Sequence, residues 1–183
     1  MKPLLTLATL LLAACAAPGD TPAERRANID QRTDEVLQRL YRESPSTEAQ
    51  IAGAAGHAVF SNFGIDLFLV GGGGGYGVAV DRATGARTYM KMGEAGVGIG
   101  LGVKDFRAVF VFETEERLRQ FVDSGWDASL EAAATAEVEG EGATAAGAAS
   151  FQDGMAIYQL TETGLALRAN VRGTKYWKDA SLN

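Results

Sequence analysis

Gly96-Val97-Gly98-Ile99-Gly100-Leu101-Gly102-Val103 alternates a bare position with an apolar one through four cycles. A period of two is that of a β-strand. One face of this strand carries Val97, Ile99, Leu101 and Val103, and the other carries no side chains. A bare face lets another backbone approach closely, or permits the strong bending of a barrel. Downstream, 106–112 is nearly all apolar and suits a buried central strand. Upstream lies a second glycine run, 71–75 with Gly77, between Leu67-Phe68-Leu69-Val70 and Val78-Ala79-Val80. Asp81-Arg82-Ala83-Thr84-Gly85 reads as a hairpin turn returning into 87–92, and Gly93-Glu94-Ala95 as a further turn. Ala58-Val59-Phe60 opens the series of strands.

Helical signals flank this centre. Thr21-Pro22-Ala23-Glu24 combines a cap, a proline at the first helical position and a capping-box glutamate. Ile29, Val36, Leu37, Leu40 and Tyr41 share one face of the helix so begun, which should stop near Glu43, before Ser44-Pro45. Packing on the domain is favoured over a membrane-surface role, because its charge is mixed and its apolarity modest. A second short helix over 46–55 is expected to close at Gly56. Thr114 can cap a third, through Val122, ended by Asp123-Ser124-Gly125. Residues 127–150 read as one or two strands with a loop. A hairpin of 155–160 and 165–174, turning at Thr161-Glu162-Thr163-Gly164, closes the chain. The pattern is α+β: N-terminal helices packed on a strongly curved, mainly antiparallel, glycine-rich sheet or barrel-like sheet, with one further helix near 114–123.

The chain opens Met1-Lys2-Pro3 and continues uncharged to Ala14. One cation, a short apolar core and a small-residue end form the grammar of a secretory signal, too short for the roughly 20 residues of a membrane span. Leu12-Ala13-Ala14-Cys15 resembles the bacterial lipobox, which implies a diacylglycerol on the Cys15 thiol and cleavage before it. Cys15 is the sole cysteine, so no internal disulfide is available. Residues 1–14 are expected to be the signal peptide, 15–20 a lipidated tether, and 21–183 a single domain large enough to hold a core without staples. Ala16, where an aspartate would favour inner-membrane retention, points to a periplasm-facing protein of the outer membrane. The formal charge of −6 disfavours general binding to nucleic acid or anionic membrane, so any such binding must come from a local basic patch.

Little in the sequence points to catalysis. Gly72, Gly74 and Gly77 have dinucleotide-loop spacing, but a strand follows where that site needs a helix N-terminus. His57 is the only histidine; it lacks metal-ligand spacing, and a structural role is favoured. Glu137, Glu139 and Glu141 read as a solvated strand face. No catalytic residue, metal or cofactor is expected. Arg168, Arg172, Lys175 and Lys178, with Tyr176 and Trp177 among them, form a basic-aromatic cluster. It suits anionic lipid headgroups and equally suits a sheet edge guarded by charge.

From about Ala49 to the end, ordered blocks resemble the SYLF domain family. They are His57-Ala58-Val59-Phe60-Ser61-Asn62-Phe63-Gly64, Gly72-Gly73-Gly74-Gly75-Tyr76-Gly77-Val78, the alternating 96–102 strand, Ala108-Val109-Phe110-Val111-Phe112 leading into Thr114-Glu115-Glu116-Arg117-Leu118, Trp126-Asp127-Ala128-Ser129-Leu130, and Gly164-Leu165-Ala166-Leu167. The resemblance implies a non-enzymatic, lipid-binding module, with phosphoinositide or another anionic lipid as ligand. The alternative is a structural envelope protein that binds protein partners or itself, motivated by the bare glycine face and open sheet edges.

Overall fold

The computed structural model describes residues 17–127, 153–161, 164–166 and 174–183; for 64–71, 95–105 and 166 it describes the backbone alone. The elements are α1 (Pro22–Glu43), α2 (Ser46–Gly53), β1 (Gly56–Asp81), β2 (Arg87–Phe112), α3 (Glu115–Ser124), β3 (Trp126–Asp127), β4 (Met155–Thr161), β5 (Gly164–Ala166) and β6 (Thr174–Lys178).

The fold is built on one ribbon. β1 and β2, 26 residues each, pair antiparallel from Gly56↔Phe112 to Val80↔Arg87. Fully extended, such a ribbon would be about 85 Å long. Its ends nevertheless meet. The Arg82 N–H donates to the Ala55 carbonyl at 3.0 Å. A Cβ at Gly56 would fall 2.5 Å from the Val80 carbonyl oxygen, one at Gly77 2.2 Å from that of Val59, and one at Gly75 2.1 Å from that of Ser61. These three approaches keep one antiparallel alignment, so the second half of β1 lies along its first half. The ribbon is doubled at its middle, where the register slips between Phe68 and Val70. Such a slip is a bulge, the usual device for bending a strand.

β2 wraps outside the doubled β1. Its first half pairs with β6 (Met90↔Lys178 to Glu94↔Thr174) and its second half with β4 (Phe106↔Thr161 to Phe112↔Met155). β3 extends β6, and β5 extends β4. Among the described residues, with each ribbon strand counted as two halves, this is an eight-strand antiparallel curled half-barrel, and with three helices the fold is α+β with a strongly curved sheet.

One core cluster draws on both arms of the sheet, so it occupies the hollow. It includes Phe60 and Ala79 from the two halves of β1, Met92 and Phe110 from those of β2, Trp126, Met155 and Tyr176, with Leu118 and Phe121 of α3 inserted. Ring centroids there lie 4.6–6.3 Å apart. α3 enters because Thr114 Oγ1 accepts the Arg117 N–H and starts the helix. α1 and α2 pack on the outer face, where Val36, Leu40 and Ile51 meet Val59, Val109, Val111, Tyr158 and Leu160. The predicted capping box of α1 is present: Thr21 Oγ1 accepts the Glu24 N–H, and the Glu24 carboxylate accepts the Thr21 N–H. The Thr21 and Asp20 backbone N–H groups, both donating to the Glu24 carboxylate, hold it below its usual value. Near its start Ile29 joins Ala17, Val78, Tyr89 and Leu182 in a third cluster.

Several local expectations are corrected. The separate strands 58–60, 67–70 and 78–80 are one strand, because the glycines between them bend the ribbon without ending it. Gly93-Glu94-Ala95 is no turn; it continues β2 opposite Gly72, Gly73 and Gly74. Gly56 does not close α2, which ends at Gly53, and instead begins β1. Thr174 ends no hairpin strand; it starts β6. The expected strands in 127–150 lie outside the described residues beyond Asp127.

Candidate functional site

Of the expected cluster, Lys175, Trp177 and Lys178 lie on β6, while Arg168 and Arg172 lie outside the described residues, as does Cys15. Alternation along β6 turns Thr174 and Tyr176 into the hollow and Lys175 and Trp177 outward. The indole of Trp177 reaches across Gly93, where a Cβ would sit 3.0 Å from its Cη2. Trp177 is still 44% exposed, a large value for so apolar a ring. Each nearby lysine has a carboxylate partner: Lys175 with Asp127 at 2.8 Å, Lys178 with Asp123 at 2.9 Å and Lys91 with Asp179 at 3.2 Å. The exposed Lys178–Asp123 pair contributes about 0–1 kcal/mol, so an incoming anion can displace Asp123 at little cost, whereas Asp127 and Asp179 are largely buried.

Ala17, the first described residue, lies beside this edge. Ala17 is buried against Tyr89 and Leu182, and Tyr89 is two residues along β2 from Lys91, the residue opposite Trp177. The C-terminus closes the same corner. Asn183 Oδ1 accepts the Tyr89 N–H, and its Nδ2 donates to the Tyr89 carbonyl.

A second basic site escaped the sequence reading. Between α1 and the outer face of the sheet, Arg32, Arg39 and Arg42 of α1 meet Arg107 of β2 around an open groove of about 280 Å³, completed by Glu35, Val36, Leu160 and Thr161. α1 brings its three arginines to one side by their seven- and three-residue spacing. Arg32 pairs with Glu35 at 2.8 Å and Arg39 with Glu43 at 2.7 Å, and Arg39 also donates to the Thr161 carbonyl. Arg107 is half-buried. Burial first, then the charges of Arg32 and Arg39, lower its pKa, partly offset by Tyr76 and Glu35. One signal in the sequence could have marked the groove: Arg107 is the lone charged residue of the otherwise apolar run 106–112.

His57 sits in β1 opposite Val111, and its pKa is lowered by burial and by Arg87 against a smaller opposing effect of Asp34. Among the described residues no three His, Cys, Asp or Glu side chains converge on a metal site. At one end of the hollow, Asn62 donates to Glu94 at 3.0 Å. The buried Tyr176 hydroxyl beyond it has no hydrogen-bond partner among the described residues, and burial, then Glu94, pushes its pKa far up.

No family model matches the chain. It is similar to beta cell expansion factor A of Aeromonas veronii, with 42% identity over 162 residues, which is 88% of this chain. The match spans 60% of the length of that protein.

Proposed function

We propose that the chain is a bacterial envelope lipoprotein, anchored through Cys15, whose SYLF-like domain contacts anionic lipid and catalyses no reaction. The position of Ala17 supports this reading. Ala17 packs at the same sheet corner that leads to Trp177, and two residues reach at most about 7 Å. Acyl chains on Cys15 would therefore hold that corner against a bilayer, with an exposed indole and Lys91, Lys175 and Lys178 at the depth of the headgroups. An amphipathic ring beside cations suits that interfacial layer. Ala16 after the acceptor cysteine supports the outer membrane as the site.

The test separates domain from anchor. The full chain with Cys15→Ala should cosediment with vesicles containing phosphatidylglycerol and leave those of pure phosphatidylcholine in suspension. The exposed part of Trp177 is about 100 Å², worth up to about 2.5 kcal/mol if fully buried. Interfacial burial is partial, so Trp177→Ala should weaken partitioning by about tenfold. Failure to bind any anionic vesicle, or indifference to Trp177→Ala, refutes the lipid contact. Mass spectrometry finding the Cys15 sulfur unmodified in the native host refutes the anchor.

A further inference from the structure

We infer that the groove between α1 and the sheet is a binding site for a phosphate ester, distinct from the Trp177 edge. Four guanidinium groups line it against the single carboxylate of Glu35, in a chain whose formal charge is −6. Gathering like charges in one groove is costly unless an anion joins them. Guanidinium forks match phosphate oxygens two at a time, whereas lysine offers only a point charge, and here all four cations are arginine. Arg107 supplies the fixed element. It stands on the central strand between Phe106 and Ala108, both buried, and opposite Ser61 and Leu160. Arg39 is held by Glu43, which offsets its charge, and by the Thr161 carbonyl, so its fork is aligned; counting Glu35 and Glu43 against the four arginines still leaves two positive charges among the described residues. Arg42 makes no ion pair among the described residues. Val36 and Leu160 give the groove an apolar wall on which the carbon skeleton of an ester can rest. The volume of about 280 Å³ suits one phosphorylated small group.

The shared chemistry has two sources, a soluble phosphomonoester or the headgroup of a phosphatidic-acid-like lipid. The full chain with Cys15→Ala is titrated calorimetrically with glycerol 3-phosphate, with glycerol as the uncharged control, and separately with phosphatidylcholine vesicles carrying or lacking phosphatidic acid. Binding of glycerol 3-phosphate but not glycerol is expected, weakened about tenfold by Arg107→Gln and by Arg39→Gln and unchanged by Arg119→Gln on α3. Arg107→Lys, which keeps the charge, should keep the fold and still lose several-fold in affinity, as a forked contact requires. Vesicle binding that depends on both phosphatidic acid and Arg107 assigns the headgroup as ligand; soluble binding without it assigns the free ester. No heat with either probe, or equal loss from Arg119→Gln, overturns the site. The Trp177→Ala result bears on membrane contact alone, so either reading can fail while the other stands.

Discussion

Replacing Gly77 by alanine tests the doubled ribbon directly. The added Cβ would lie 2.2 Å from the Val59 carbonyl oxygen and 2.5 Å from Cδ1 of Phe60. Carbon–oxygen contacts between strands are ordinarily about 3.3 Å or more, and carbon–carbon contacts about 3.5–4.0 Å. Both overlaps therefore approach about 1 Å. Neither neighbour can yield. Val59 is fixed opposite Val109 in the sheet, and Phe60 is wedged between Phe110 at 5.8 Å and Tyr176 at 4.6 Å. Overpacking costs about 1–3 kcal/mol where side chains can adjust, and more where backbone must move. The entropy that alanine removes from the unfolded chain returns only about 0.4–1 kcal/mol. A net loss of about 3 kcal/mol should follow, lowering the urea midpoint by about 1–2 M. Gly72→Ala is the internal control, because its Cβ would meet its nearest neighbour, the Glu94 carbonyl oxygen, at 3.7 Å, an ordinary contact. It should stay within about 1 kcal/mol of the parent. If the two variants unfold at the same urea concentration, the second half of β1 does not lie on the first.

Two other expectations concern stability. Burial and Arg87 hold His57 below the ordinary imidazole pKa of about 6.5, so the unfolded chain takes up the proton first. Its contribution to stability is complete above that value and declines as pH falls below it; urea midpoints measured from pH 7.5 to 5.5 should decline less in His57→Gln, and equal slopes would contradict the assignment. Phe121→Ala removes the ring that α3 inserts among Phe110, Phe112 and Trp126. It should cost about 3–5 kcal/mol by thermal or urea unfolding, and a loss under 1 kcal/mol would mean that α3 does not fill the hollow.

The parts of the fold legible in the sequence are those whose physics is local. Thr21-Pro22-Glu24, Thr114 and the Asp81–Gly85 turn act within four residues, and each stands where its chemistry places it. The alternating glycines announced a bent or closely approached strand, and the doubled ribbon has both properties. Their ambiguity explains the error at Gly93: the same residue that ends a strand also lets one bend, and its partner Gly74 is distant in sequence. β6 was misjudged because its ladder is to β2, 80 to 88 residues earlier. The arginine groove needs three long-range facts at once: the register of Arg107, the path of β4 and the seat of α1.

The seat of α1 also constrains how the domain could meet a bilayer. An amphipathic helix of mixed charge at the start of the described domain invites the idea that it peels away to lie on a membrane. Ile29, Val36 and Leu40 are buried in two different clusters, and re-exposing the three would cost about 5–9 kcal/mol. Asp30 adds bonds to Arg87 and the Tyr89 hydroxyl, and Arg26 donates to the Leu182 carbonyl. Whole domains are stable by only about 5–15 kcal/mol, so detachment would approach unfolding. The proposed membrane contact would then be made with α1 in place. That leaves the surfaces α1 does not cover, with the Trp177 edge beside Ala17 and the arginine groove on its flank. The groove exists only while α1 is docked, because three of its four guanidinium groups ride on that helix.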